Sequence, residues 1–298
     1  FSALAGTPIA EISKALSEHG QFLPFDPPWA SSGATLGGTV AAGLNGPGQF
    51  RYGGLREFII GAKFINGSGQ RLKGGGKVVK NAAGFDFPKL FVGSIGRLGV
   101  LYELTFKVFP APQAYMTLSF SLANIPSTLD AACALAGSNF EPFAIDITPP
   151  GRLNIRIGGN HEANEITAGL VEKFIDLPAH RFTGEEENSI WHNLRDITWA
   201  KGNLLLKIAL VPSKVHELDR ALEDLGALRH YSAAGNVAFV DTDREHLQAI
   251  DAKLKTMKLS GIVLRGEIAN PRLGWQASRK AETIIQSTMD REGKFIPL

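Results

Sequence analysis

Two glycine-rich segments near the start of the chain constrain its fold more than any other feature. The first, residues 31–54, contains eight glycines separated mainly by small residues, and the second covers residues 74–99. Glycine has no side chain, so such segments let backbone approach a neighbouring molecule closely. Tight turns between strands are the simpler explanation, and glycine spacing alone favours them.

Composition narrows the classes of function. A chain of 298 residues with 44% apolar and 20% charged residues can bury the cores of two domains. The net charge of +2, with basic residues spread along the chain, argues against a nucleic-acid partner. No apolar run approaches the roughly 20 residues of a membrane-spanning helix, so no transmembrane segment is predicted.

The cysteine and histidine content restricts redox and metal chemistry. Cys133 is the only cysteine, which excludes an internal disulfide and an iron–sulfur cluster held by thiolates of this chain. We expect Cys133 to be buried on an apolar helix face. The seven histidines are scattered without the close pairing typical of metal ligands, so no metal site is predicted.

Hydrophobic periodicity predicts two domains and a C-terminal helix with a tail, with boundaries at 1–112, 113–275 and 276–298. In the first domain we expect a helix over 8–19 capped by Thr7, a hairpin of strands 58–65 and 70–73, and a strand over 100–108 that ends before Pro110. The second domain should be α+β. Its predicted strands are 116–122, 153–157, 204–211, 237–240 and 261–264, and its predicted helices are 129–136, 163–174, 215–225 and 244–257.

Two familiar nucleotide-binding motifs fail on the glycine-rich segments. Gly76-Lys77 is followed by Val78, so the hydroxyl that binds magnesium in nucleoside-triphosphate loops is missing. The pair Gly67 and Gly69 does not continue into the dinucleotide-binding pattern Gly-x-Gly-x-x-Gly. A third hypothesis remains, in which irregular loops hold a ligand with a pyrophosphate and a flat ring, and glycine amides reach the phosphate oxygens.

The order of residues within these segments favours that third hypothesis. The chain contains ATLGGTVA at 34–41, YGGLRE at 52–57, GKVVKNAAGFD at 76–86 and GSIGRLGV at 93–100. This series resembles the FAD-binding domain of the vanillyl-alcohol-oxidase type and, within it, the FAD-binding subunits of bacterial glycolate oxidases. The resemblance covers residues 5–112 strongly and the rest of the chain weakly. It implies an α+β FAD-binding domain followed by an α+β cap domain.

The resemblance also implies which residues contact the flavin. The expected set consists of Pro27, Thr35, Gly37, Gly38, Thr39, Arg51, Tyr52, Gly53, Lys80, Asp86, Gly96, Leu98, Gly99 and Val100. The 35–39 loop would approach the flavin and its diphosphate, and residues 96–100 would close over the adenine. Phe85 stands where relatives usually have tyrosine, so a hydroxyl of that element is lost.

Two departures from the family concern the chain ends. Relatives carry a further diphosphate-binding loop in the first half of the FAD domain, so we expect the N-terminal part of that domain to precede Phe1. Relatives commonly end in a Phe-Asn-Pro-Gly-Arg-like segment, whereas this chain has Phe295-Ile296-Pro297-Leu298. A flavin-contacting or packing role of that segment is therefore expected to be lost.

The family resemblance implies a function as part of a complex. FAD-binding subunits of this kind work with a partner flavoprotein subunit and an iron–sulfur subunit, oxidising a small 2-hydroxy acid in the cytoplasm, with peripheral attachment to the inner membrane through the complex. Two alternatives stay open: an assembly scaffold that no longer binds FAD, and a stand-alone FAD-dependent alcohol or sugar oxidase. The sequence assigns no catalytic residue.

Several polar residues allow a functional or a structural interpretation. Lys80 and Asp86 could tune the flavin as a pair, or form a salt bridge that fixes their loop. Arg51 could bind a diphosphate or a substrate carboxylate. The run Glu185-Glu186-Glu187 is interpreted as a solvated helix start and Trp191 as a packing residue.

Overall fold

The structure, a computed structural model, describes residues 1–76, 86–268, 270–277 and 280–295. The chain divides into two compact units. The first unit combines Phe1–Ala111 with Ser278–Leu298, and the second unit is Pro112–Ala277. The C-terminal helix therefore belongs to the first unit.

The first unit contains short helices and strands around its glycine-rich segments. Its elements are β1 (Ser2–Leu4), α1 (Ile9–Ser17), β2 (Gln21–Phe22), α2 (Leu36–Ala42), α3 (Gln49–Tyr52), β3 (Ile59–Ile65), β4 (Arg71–Gly75), α4 (Phe87–Leu90), β5 (Val100–Phe106), β6 (Phe109–Pro110) and, after the second unit, the C-terminal helix Lys280–Met289.

An antiparallel sheet with the strand order β1-β5-β3-β4 supports the first unit. Strands β3 and β4 form the predicted hairpin, which is confirmed by the pairing of Ile65 with Arg71. Its turn is held by a 2.9 Å hydrogen bond from the Gln70 N–H to the Asn66 side chain, and Gly69 has a φ of +75° that suits glycine. The predicted strand after residue 99 is also confirmed, as β5.

Helix α1 confirms the predicted apolar face but not the predicted cap. Ile9, Ile12 and Leu16 are buried, as the helical spacing requires. Pro8 occupies the N-cap position, and no side chain there accepts a hydrogen bond from the first turn, so the prediction of a Thr7 cap is wrong. The Thr7 carbonyl instead accepts a hydrogen bond from the Leu36 N–H at 3.0 Å.

The second unit alternates strands with longer helices. Its elements are β7 (Ala114–Ser121), α5 (Ile125–Ala136), β8 (Ala144–Thr148), β9 (Arg152–Gly159), α6 (His161–Ile175), β10 (His180–Thr183), α7 (Gly184–Arg195), β11 (Leu204–Ala209), α8 (Val215–Asp224), β12 (Leu228–Ser232), β13 (Val237–Thr242), α9 (Leu247–Thr256), β14 (Ser260–Arg265) and β15 (Arg272–Gly274).

These strands form one sheet with two chemically different faces. The strand order is β10-β7-β9-β8-β12-β13-β11-β14-β15, and neighbouring strands are antiparallel. Side chains alternate between the faces of a strand. On one face, Ile145, Ile155 and Tyr231 are fully buried. Helix α8 packs on this face, where Asp219 accepts a 2.7 Å hydrogen bond from the Tyr231 hydroxyl. On the other face, Ser119 and Asp146 flank Asn154 in register.

Helix α7 packs on the polar face through buried polar contacts. The Trp191 indole N–H donates to the Thr117 hydroxyl at 2.6 Å, and the Arg156 guanidinium donates to Glu187 at 2.7 and 3.1 Å. Glu187 is only 1% exposed, so the interpretation of its acidic run as solvated is wrong for this residue. Its neighbours Glu185 and Glu186 are exposed.

Cys133 lies outside the buried face of α5, so its predicted burial is wrong. The helix buries Ile125, Thr128, Ala132 and Leu135, which share one side at helical spacing. Cys133 directly follows Ala132 and is rotated away from that side. Partial desolvation still raises the pKa of the thiol, with Asp130 acting in the same direction.

Candidate functional site

The two glycine-rich segments adjoin in the first unit. The Gly93 N–H donates to the Val40 carbonyl at 3.0 Å, and the Ile95 N–H donates to the Ala41 carbonyl at 2.9 Å. Gly43 ends α2 with a φ of +63°, and a Cβ there would lie 3.0 Å from the Gly93 backbone. Glycine is required at position 43 because the two backbones pass so closely. This close approach joins residues 35–43 and 93–96 into one surface.

The backbone N–H groups in the first turn of α2 have hydrogen-bond partners within the chain. Thr35 caps the helix by accepting a hydrogen bond from the Gly38 N–H at 3.2 Å. The Gly37 N–H donates to the Ala5 carbonyl at 2.7 Å, and the Thr39 N–H to the Thr35 carbonyl at 2.9 Å. These amides are already hydrogen-bonded within the chain. They do not offer the free donors that the glycine-rich pattern predicts for a diphosphate.

Gly37 and Gly38 are adjacent but serve different purposes. Gly37 is buried, and a Cβ there would lie 2.7 Å from the Ala5 Cβ and 3.0 Å from its carbonyl oxygen. Gly38 is exposed, and within 4 Å a Cβ would meet only the Thr35 hydroxyl, at 3.1 Å. Gly37 is therefore needed for packing against the chain before α1. Gly38 leaves bare backbone on the open side of α2.

Tyr52, the chain neighbour of Arg51 and Gly53, forms an aromatic wall with the small β2–β6 ribbon. The Tyr52 ring meets Phe22 and Phe109 edge-on, with ring centroids 5.9 and 5.2 Å apart. The Arg51 guanidinium lies 5.6 Å from the centre of the Tyr52 ring. Burial raises the pKa of the Tyr52 phenol although Arg51 acts in the opposite direction, so the phenol stays protonated at neutral pH.

Gln49, which the sequence analysis did not select, carries an unsatisfied buried donor. Its side-chain Nε2 is buried and has no hydrogen-bond partner in the described part of the chain. Buried polar atoms nearly always have a partner, so a ligand or water is expected there. Gln49 begins α3, two residues before Arg51. No sequence signal distinguishes it, because a glutamine beside Gly48 is equally typical of a solvated turn.

Only Asp86 of the predicted Lys80–Asp86 pair lies among the described residues. Lys80 lies outside the described residues. Asp86 is exposed and forms a 2.8 Å salt bridge with Lys89, three residues further on. This bridge raises the pKa of Lys89 through the hydrogen bond to Asp86. Within the described residues, Asp86 thus stabilises the start of α4, and a role toward the flavin stays a prediction.

The predicted residues at 96–100 differ in accessibility. Gly96 is exposed, and a Cβ there would meet nothing within 4 Å. Gly99 is buried with a φ of +156°, and a Cβ would lie 2.8 Å from the Ile65 carbonyl oxygen, so this glycine permits the packing of β5 on β3. Leu98 is half-buried against the core, whereas Val100 is 55% exposed.

Pro27 and Thr39 are both buried in the interior of the first unit. The predicted residues that are exposed or half-buried are Thr35, Gly38, Arg51, Tyr52, Gly53, Asp86, Gly96, Leu98 and Val100. The surface that joins α2 to residues 93–96 thus offers bare backbone at Gly38 and Gly96 and no bulky side chain at either point. These features fit a planar ring that approaches by close contact.

The described residues contain neither a cluster of metal-ligating side chains nor a membrane-spanning helix. Within them, no three or more histidine, cysteine, aspartate or glutamate side chains are grouped to hold a metal ion. The helices found in the same part of the chain are too short or too polar to cross a membrane.

Comparisons with known proteins agree with the predicted family. Residues 2–75 match the family described as FAD binding domain. Glycolate oxidase subunit GlcE of Escherichia coli is 43% identical over 145 residues, which span 49% of this chain and 40% of that protein. The mitochondrial D-lactate dehydrogenase (cytochrome) of Arabidopsis thaliana is 35% identical over 122 residues, spanning 41% of this chain and 20% of that protein.

A solved structure supports the fold over nearly the whole chain. An alkyldihydroxyacetonephosphate synthase superposes with a TM-score of 0.67 over 98% of this chain and 62% of that one, at 17% identity, which bears on the fold alone. The chain matches less than half the length of the curated relatives named above. The predicted resemblance, the α+β fold class and FAD as the family's cofactor are confirmed, and the family match covers residues 2–75.

Proposed function

We propose that this chain binds one FAD non-covalently and serves as the FAD-binding subunit of a complex that oxidises a small 2-hydroxy acid. The proposal is carried by residues 2–75, where the family match and the exposed glycine backbone occur in the same segment. This segment matches the FAD binding domain family and contains Gly38, whose bare backbone is exposed on α2. Similarity to a glycolate oxidase subunit supports the substrate class.

The residues of the first unit would hold the cofactor chiefly by shape. Gly38 allows the ring system to approach the backbone because no Cβ stands in the way. The buried Gln49 amide offers a donor that no described residue satisfies. The protonated Tyr52 phenol contributes a neutral polar edge beside an aromatic wall. When bound, FAD supplies an acceptor for two electrons.

Oxidation of a 2-hydroxy acid needs a base for the hydroxyl proton and a cation for the carboxylate. His19 is the only histidine among residues 1–112, and it lies outside both glycine-rich segments. A partner flavoprotein subunit is proposed to supply the base, because neither glycine-rich segment contains a histidine. With a single cysteine, the chain cannot hold a cluster by its own thiolates, so a partner iron–sulfur subunit is proposed to receive the electrons.

The test is anaerobic stopped-flow measurement of flavin bleaching by glycolate and by D-lactate. The purified chain reconstituted with FAD should bleach slowly or not at all. The chain co-expressed with its partner subunits should bleach within each turnover.

Three results would contradict parts of the proposal. Rapid bleaching of the single chain would identify a stand-alone oxidase. Assembly of a fully active complex that contains no FAD in this subunit would identify a scaffold. Bleaching of the complete complex by primary alcohols or sugars, but by neither acid, would overturn the substrate class.

A further inference from the structure

The second unit contains a cavity of about 720 Å³ that no part of the flavin hypothesis uses. It lies on the polar face of the sheet, beside the last turns of α7. A cavity of this size falls in the ~300–1,000 Å³ range typical of sites for small organic ligands. The lining residues that matter most are Ser119, Arg152, Asn154, Asn193, Trp199 and His230.

Two neighbouring strands, β7 and β9, place the polar floor of this cavity. Ser119 on β7 and Asn154 on β9 are paired in register and are 5% and 4% exposed. No other described residue hydrogen-bonds to either side chain, although both line the cavity. Nearly buried hydroxyl and amide groups without protein partners are costly unless a ligand or water satisfies them. The floor is therefore suited to hydroxyl groups.

A buried aspartate–histidine pair lies beside the floor, since Asp146 is paired in register with Asn154. His230 is 1% exposed, and its Nε2 lies 2.8 Å from Asp146 Oδ2. The other oxygen of Asp146 accepts hydrogen bonds from the Ser232 hydroxyl at 2.9 Å and the Ala233 N–H at 3.2 Å. A carboxylate that is surrounded by donors acts as an acceptor, so Nε2 carries a proton toward Asp146. The other ring nitrogen, Nδ1, is left for a further partner.

Two covered polar atoms at the cavity wall lack partners. His230 Nδ1 and Trp199 Nε1 are both buried and form no hydrogen bond with any described residue. Their rings stand edge-on with centroids 6.1 Å apart, and both residues line the cavity. The indole N–H is a donor, and a histidine ring nitrogen donates or accepts according to the tautomer. Hydroxyl groups, which both donate and accept, complement such a pair.

The lining of the cavity also carries a positive charge. Arg152, two residues before Asn154 on β9, is exposed and forms no ion pair with another described residue. The second cation of the lining, Arg229, is already bound by Asp219 at 2.7 Å. Glu223 is 68% exposed and faces Arg229 at 3.7 Å. Arg152 is therefore the cation available to an anionic ligand.

We propose that this cavity binds a hydroxylated organic acid of about five or six carbons. Its carboxylate would lie at Arg152 and its hydroxyl groups on the Ser119–Asn154 floor, beside His230 and Trp199. The cavity volume of about 720 Å³ has room for a ligand of this size. All lining residues belong to the second unit, so this site stands or falls separately from FAD binding by the first.

The test uses D-gluconate as the probe, with two six-carbon comparisons. Sorbitol keeps the hydroxyl groups without the charge, and hexanoate keeps the charge without the hydroxyl groups. Binding to the full chain without FAD is followed by the indole N–H signals of the four tryptophans in a ¹H–¹⁵N spectrum. The Trp199 signal, assigned with Trp199→Phe, should shift saturably with gluconate, and the signal of the exposed Trp275 should not.

Substitutions separate the proposed contact from a general charge effect. Arg152→Gln should weaken gluconate binding about tenfold, or about 1.4 kcal/mol, because the charge-assisted contact is lost. Arg220→Gln, an exposed change on α8 with the same loss of charge, should leave affinity unchanged. Three results would overturn the proposal: an unmoved Trp199 signal, equal weakening by both substitutions, or sorbitol or hexanoate binding as tightly as gluconate.

Discussion

The neighbouring glycines Gly37 and Gly38 allow a sharp test of how α2 would meet the flavin. Alanine at either position gains up to about 1 kcal/mol of helix propensity. At Gly37 the added Cβ would lie 2.7 Å from the Ala5 Cβ and displace backbone that is hydrogen-bonded to the helix. Overpacking of this kind costs about 1–3 kcal/mol. Gly37→Ala should therefore lower the free energy of unfolding by about 1–2 kcal/mol.

Gly38→Ala should show the opposite pattern. Its Cβ meets only the Thr35 hydroxyl at 3.1 Å, and a small rotation of that side chain relieves the contact. The free energy of unfolding should stay within about 0.5 kcal/mol of the parent or rise slightly, because helix propensity offsets the contact. If the flavin ring approaches Gly38, the methyl group occupies its space, and FAD affinity should fall at least about tenfold, or about 1.4 kcal/mol.

The two readouts are measured independently on the same preparations. Urea unfolding followed by circular dichroism gives stability, and a titration followed by flavin fluorescence gives FAD affinity. Gly37→Ala should change the first and leave the second within about threefold in the folded protein. The reasoning is refuted if Gly38→Ala destabilises the chain as much as Gly37→Ala, or if it leaves FAD affinity unchanged.

Three further predictions concern the cofactor linkage and the second unit. Acid precipitation should release all bound flavin, because neither glycine-rich segment has a histidine or cysteine to form a covalent link, and yellow colour left in the pellet would contradict this. Glu187→Ala should cost about 3–5 kcal/mol in urea unfolding because it leaves Arg156 partly buried and unpaired. The control Glu165→Ala, at an exposed pair, should cost at most about 1 kcal/mol, and equal losses would refute the argument. Burial raises the pKa of Asp251, but the hydrogen bonds from Lys255 and from a backbone N–H outweigh burial and hold it below its ordinary value. Its charge thus stabilises the fold above the unfolded pKa of about 3.9, and this contribution is lost as pH falls through the folded value. Asp251→Asn should therefore be less stable than the parent at pH 7 and approach it near pH 3, whereas a constant difference in urea unfolding would contradict the assignment.

The sequence predicted elements whose local pattern and packing agree. The hairpin around Asn66 and Gly69 combines alternating strands with turn residues, and it is found where expected. Helix α2 escaped prediction because Gly37 and Gly38 lower its helix propensity. It forms because Thr35 caps it and because Leu36 and Val40 are fully buried in the core.

The candidate site shows the same division between local and tertiary information. Motif order pointed to the glycines of α2. It could not reveal that the Ala5 carbonyl and the Thr35 hydroxyl accept hydrogen bonds from the backbone N–H groups there. Burial of Glu187 depends on Arg156, which is distant in sequence and adjacent only across the folded sheet. Likewise, Asp146 and His230 are 84 residues apart, and only the strand order brings them together.

The most direct test of the central claim is a titration of the purified chain with FAD, followed by the visible absorption spectrum and by flavin fluorescence. We predict saturation at one FAD per chain, a spectrum distinct from that of free FAD, and weaker saturation for Gly38→Ala. A correctly folded chain that gives no saturable change in either signal would contradict the claim that this chain is a flavin-binding subunit.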